Sequence, residues 1–172
     1  DLSKGRKITI TGKNGTKLTA VIDGREGLAD TGILSQPGSF GNLPAGEAYI
    51  APIEGTAEGT IVCDGSIAQL GCIEEEPVII EVKEGKLVSA SGQEKAAELL
   101  RLLDSAGELG RGVAEIGIGT NPAARISGNI LEDEKVSGTV HVTFGDSSGI
   151  GGKIKVPVHI DCVLKDVEAV IE

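Results

Sequence analysis

Alternation of apolar and polar positions dominates this chain, and a period of two points to strands rather than helices. Lys7-Ile8-Thr9-Ile10-Thr11 and Lys17-Leu18-Thr19-Ala20-Val21-Ile22 both alternate, and between them lies Asn14-Gly15, a favoured tight-turn pair, so a hairpin is expected. Further strands are expected over 47–51, 58–63, 112–118, 138–144 and 153–164, with a second hairpin from 77–82 and 86–90 around Glu84-Gly85. Residues 24–46 carry Gly32, Pro37, Gly38, Gly41, Pro44 and Gly46 and read as a loop, of a length that is often functional. One segment changes period. Ala96, Leu99, Leu100 and Leu103 recur at helical spacing, and Ser91-Gly92-Gln93-Glu94 has the form of a capping box with Ser91 as N-cap. The expected fold is therefore α+β and β-rich. Mostly antiparallel strands form a barrel-like arrangement with one prominent amphipathic helix near 92–106, in a single domain over residues 1–172.

Composition narrows the possibilities. With 40% hydrophobic but only 2% aromatic residues, the core must be built from Val, Ile, Leu and Ala. The 26 glycines favour turns, bulges and close backbone approaches over long helices. A net charge of -10 argues against nucleic acid and anionic membranes, both of which call for a basic face. No apolar run reaches the length of a membrane span and no signal peptide is visible. Cys63, Cys72 and Cys162 form an odd set without a Cys-x-x-Cys pair, which suggests reduced, mostly buried thiols in a cytoplasmic protein. A chain that starts at Asp1 and contains no methionine reads as a domain of something longer.

The polar residues stranded in apolar strands carry the candidate chemistry. His159 and Asp161 are two apart, so they share one face of a strand and can grip one ion together, while Cys162 points the other way. His141 stands with Thr139 and Thr143 opposite Val140, Val142 and Phe144. Glu115 is the one charge in Gly112–Gly119, with Ala114, Ile116 and Ile118 on the other face, and Glu47 precedes the apolar Ala48–Pro52 run. A buried charge must be paired or bind metal. Two imidazoles and a carboxylate make the minimum inner shell of many catalytic metals. Glu132-Asp133-Glu134 reads as a solvated charge run, close enough to His141 to leave a supporting role open. Gly145-Asp146-Ser147-Ser148-Gly149 looks like a serine nucleophile loop, but both histidines are already committed elsewhere. Asn121 and Arg125 either contact substrate or brace a loop.

Four segments in order, Gly41–Pro52, Ala114–Asn121, Gly138–His141 and His159–Asp161, resemble the catalytic domain of the thermophilic-type metallo-aminopeptidases, the aminopeptidase T/S family. The resemblance covers nearly the whole chain. It implies the C-terminal, metal-carrying part of a longer protein whose N-terminal α/β domain is absent, and a homodimer. It also implies a leucyl aminopeptidase-like hydrolase acting on peptides, with two divalent ions (Zn, Co or Mn) held by Glu47, Glu115, His141, His159 and Asp161. Glu47 or Glu115 would serve as catalytic base. One feature departs from that family: its peptidases carry a tyrosine after the first histidine, whereas Tyr49 is the single tyrosine here. A related branch resembles the 2,5-dihydroxypyridine ring-cleaving dioxygenases, which would use one Fe(II) on His141, His159 and Asp161. A non-catalytic, metal-stabilised dimerisation module is the third alternative.

Overall fold

The structure is a computed structural model that describes residues 2–172. Its strands, in chain order, are β1 (Lys7–Gly12), β2 (Lys17–Val21), β3 (Leu28–Asp30), β4 (Glu47–Ile50), β5 (Glu58–Cys63), β6 (Ser66–Ile67), β7 (Gly71–Cys72), β8 (Val78–Lys83) and β9 (Lys86–Ser91). Helix α1 (Gln93–Asp104) follows, then β10 (Val113–Gly119), α2 (Ile130–Asp133), β11 (Val140–Gly145), β12 (His159–Leu164) and β13 (Val167–Ile171). Among the described residues the strands form two sheets, one ordered β13-β1-β2-β5-β8-β9 and the other β3-β4-β10-β11-β12-β6-β7. Neighbouring strands pair antiparallel throughout both. The α+β, β-rich expectation holds, but each sheet has two free edges, so two open sheets replace the barrel. Both contribute to one core: Ile8, Ile10, Leu18 and Ile80 meet Ile116, Val142, Phe144 and Ile160.

The hairpins form where turn chemistry asks for them. Glu84 and Gly85 both have positive φ, as a two-residue primed turn requires. β8 buries Val78, Ile80 and Val82 and exposes Ile79, Glu81 and Lys83, the alternation of a half-buried strand. Helix α1 buries Ala96, Leu99 and Leu103 as its spacing demands, but its entrance differs from the expectation. Ser91 ends β9, Gly92 is the N-cap with φ 126°, and no side-chain cap forms. A Cβ on Gly92 would lie 2.5 Å from the Pro77 carbonyl oxygen, so close strand-to-helix packing, rather than a capping box, sets this corner. The 24–46 segment contains β3, and beyond it Ile33, Phe40 and Leu43 are exposed. β12 starts at His159, later than expected, after an irregular 153–158 stretch. Cys63 and Cys162 are buried free thiols and Cys72 is half-buried. Among the described residues, no helix is long and apolar enough to cross a membrane.

Candidate metal centre

The site lies across four adjacent strands, β4, β10, β11 and β12. Residues directly opposite in antiparallel strands share a face. Register places Tyr49 opposite Gly117 and Gly117 opposite His141. One step along, Glu115 lies opposite Thr143 and Thr143 opposite Asp161. Glu47 pairs with Gly119, and Gly145 with His159. A bulge between Val113 and Glu115 resets the alternation of β10. It brings Val113 into the core cluster with Ile116 and leaves Glu115 on the polar face, while Ala114 is fully buried. Gly117 supplies the room for His141: a Cβ there would lie 2.0 Å from His141 Nε2.

All five sequence-predicted residues come together on this face. His141 Nε2 is 3.1 Å from Glu115 Oε1 and 3.5 Å from Glu47 Oε2. His159 Nε2 is 3.5 Å from Asp161 Oδ1 and 3.8 Å from Glu115 Oε2. His159 Nδ1 lies 2.8 Å from the Asp146 carbonyl oxygen. Only an N–H can donate to that oxygen, so the neutral ring keeps its lone pair on Nε2, aimed at the carboxylates in the form a metal takes. Thr143 Oγ1 donates to Asp161 Oδ1 at 2.6 Å and fixes that carboxylate. Glu47 Oε2 and His141 Nδ1 are buried without hydrogen-bond partners, which is costly for polar atoms.

The segment between β10 and β11 roofs the site and brings residues that the sequence reading missed. Glu132 is half-buried, and Asp133, Glu134 and Lys135 are buried, so the run is not a solvated face. Asp133 accepts hydrogen bonds from the Ser127 and Gly128 amides at 2.7 and 3.0 Å, pinning α2. Lys135 Nζ is 2.9 Å from Glu47 Oε1 and also pairs with Glu134 Oε1. Asn121 braces rather than faces outward: its Nδ2 donates to the Ala45 carbonyl at 2.7 Å and its amide to Lys135 O at 2.8 Å. The Arg125 amide bonds Glu132 Oε1 at 3.2 Å. The signal that could have found Lys135 is weak: one cation closing an acidic run just before the histidine strand. Tyr49 lies across the sheet from Gly117, on the site face and not apart from it.

Burial and charge shape the titration of this cluster. Burial works against a charged His141, but the hydrogen bond and charge of Glu115, with the charges of Asp161 and Glu47, outweigh it and push the imidazole up to about 9. Burial pushes Glu134 up to about 7, with Asp161 and Glu47 adding to the rise and His141 and Lys135 opposing it. Glu47 is raised, chiefly by burial, and so is Tyr49 by burial and then by Glu115. A cluster that pulls a proton onto an enclosed imidazole is short of positive charge, which a cation would supply. Glu47, Glu134 and His141 offer ligand atoms within 4.8 Å of one another, a buried group able to hold a metal ion. That trio differs from the sequence set by including Glu134.

The family model described as NicX, 2,5-dihydroxypyridine 5,6-dioxygenase, matches residues 1–171. The chain is 24% identical over 183 residues to the 2,5-dihydroxypyridine 5,6-dioxygenase of Pseudomonas putida, covering 99% of this chain and 52% of that protein. The structure of the 2,5-dihydroxypyridine dioxygenase from Pseudomonas putida KT2440 matches with TM-score 0.88 and 23% identity, over 99% of this chain and 52% of that one. Wild-type AmpT from Thermus thermophilus matches with TM-score 0.76 and 20% identity, over 96% and 45%. The chain thus spans about half the length of the relatives it matches. At these identities the structural likenesses show the fold alone. The family match overturns the aminopeptidase reading, and with it the hydrolase activity and the peptide as substrate. The motifs behind that reading follow a fold common to both structural relatives, and a shared fold does not fix chemistry. With its match running from residue 1 to residue 171, the chain belongs to the 2,5-dihydroxypyridine 5,6-dioxygenase (NicX) family.

Proposed function

We propose that this chain acts as one metal-binding catalytic domain of a dioxygenase that opens the ring of a dihydroxypyridine, using a single ferrous ion held by His141, His159 and Asp161. The family match over residues 1–171 carries this reading. The His159 tautomer and the orphaned polar atoms beside His141 support it. Two imidazoles and one carboxylate are the donor set that suits non-haem Fe(II) and leaves positions open. Bound ferrous iron would supply the one-electron chemistry that lets dioxygen react with an aromatic diol.

The chain's own residues do the rest. The Asp146 carbonyl orients His159, and Thr143 orients Asp161. Glu115, facing both imidazoles, is positioned to accept the proton of a substrate hydroxyl. Glu47 is held by Lys135, so its role is to stabilise charge rather than to act as the base. Tyr49 offers a phenol on the same face as a hydrogen-bond partner for the substrate. The free cysteines fit a reducing compartment, and we assign the protein to the cytoplasm.

The test is anaerobic loading with Fe(II), addition of 2,5-dihydroxypyridine and oxygen, and measurement of oxygen uptake against loss of substrate absorbance. Equimolar consumption that disappears in His159→Ala and Asp161→Ala variants supports the proposal. Iron-loaded protein that consumes neither compound sinks it.

A further inference from the structure

Two of the buried group Glu47, Glu134 and His141, the carboxylates, already hold a cation. Lys135 is 0% exposed, its Nζ is 2.9 Å from Glu47 Oε1, and it pairs with Glu134 Oε1. A lysine this deep persists only when paired, and these two carboxylates are its ion-pair partners. It is also held firmly. The Lys135 carbonyl accepts from the Asn121 amide at 2.8 Å, and the Lys135 amide donates to Glu132 O at 2.9 Å. Asn121 in turn grips the Ala45 carbonyl, two residues from Glu47, so one residue braces both ends of the ion pair.

We propose that the Lys135 ammonium occupies the place of a second metal ion and thereby fixes the centre at one ion per chain. This rests on the metal-binding reading given above and adds a cause for its stoichiometry. Glu47 and Glu134 would otherwise be free to hold a second ion beside the one held by His141, His159 and Asp161. A divalent ion cannot share the same carboxylate oxygens with an ammonium a few ångströms away, because like charges at that range in a buried site repel strongly. Glu47 Oε2, unbonded and 3.5 Å from His141 Nε2, still adds negative charge to the first ion's surroundings. Lys135 is accordingly a positioning residue: it selects how many ions bind without touching substrate.

The experiment is equilibrium dialysis against Co(II), and anaerobically against Fe(II), followed by elemental analysis of the wild type, Lys135→Met and Lys135→Gln. The wild type is expected to hold one ion, and each variant to double that to two. Each variant should also lose thermal stability in chelator and regain it only beyond one equivalent of metal. If a variant folds only with metal present, the equivalents needed for folding read the same quantity, and two are expected. Folded variants that still take one ion overturn the role given to Lys135 and leave the mononuclear centre standing. Two ions in the wild type overturn both. A wild type that binds none removes the metal centre itself.

Discussion

At Gly117 a missing side chain makes room for an imidazole, because a Cβ there would sit 2.0 Å from His141 Nε2. Gly117→Ala must therefore push the ring off its position. We expect metal affinity to fall about 10–100-fold, the range seen when a ligand's supporting contacts are lost, with roughly 1–3 kcal/mol of destabilisation from overpacking. Isothermal titration and thermal melts check both, and unchanged affinity would show that His141 is not a ligand. His141 also sets a pH dependence. Its folded pKa of about 9 stands above the ordinary 6.5, so its protonation stabilises the metal-free fold fully below pH 6.5, and the gain is lost as pH rises through 9. The size is on the order of 3 kcal/mol. Chelated wild type should melt lower as pH rises across that window, and His141→Gln should be flatter. The five predicted residues were readable because each is polar within an apolar strand. Glu134 and Lys135 were not, because on a short helical turn charges are usually solvated, and only the folded roof shows them turned inward.

Elements place these residues through two local devices. The bulge in β10 separates Val113, in the core, from Glu115, on the site face, although they are two apart and plain alternation would align them. Sequence periodicity cannot show a one-residue insertion, so alternation alone does not predict Val113 beside Ile116 in the core. The second device is the Asp133 knot at α2. Asp133→Ala leaves the Ser127 and Gly128 amides without their acceptor, and charged hydrogen bonds of this kind contribute roughly 1.5–3 kcal/mol each. We expect a loss of about 3 kcal/mol by chemical denaturation, together with weaker metal binding as Lys135 and Glu134 loosen. Loss of stability with intact metal binding would separate the roof from the site. The strands were visible from alternation, and the helix from Ala96, Leu99 and Leu103. The helix start departs from the expectation because Ser91 and Glu94 fit a cap pattern while Ser91 belongs to β9.

For the whole molecule, two sheets share one core that is continuous behind the candidate metal face. A cavity made far from the site should cost stability without changing ion number. Leu103→Ala, in a fully buried position on α1, should lose about 2–5 kcal/mol while metal content stays at the wild-type value. Altered metal content in that variant would mean the core and the centre are coupled. The sequence carried the fold class and the gathering of the five residues further than it carried the chemistry. The order of motifs that suggested a peptidase belongs to a fold seen both in AmpT and in the dioxygenase from Pseudomonas putida. The two histidines also differ in access: His141 has 0% of its side chain exposed and His159 has 42%. The centre therefore has a front and a back. Under the proposed function, ions, chelators and aromatic substrate would all arrive at one doorway, beside His159. A carbonate reagent that acylates imidazole should modify His159 rapidly and His141 only after unfolding, and a bound aromatic diol should slow the first reaction by standing in that doorway.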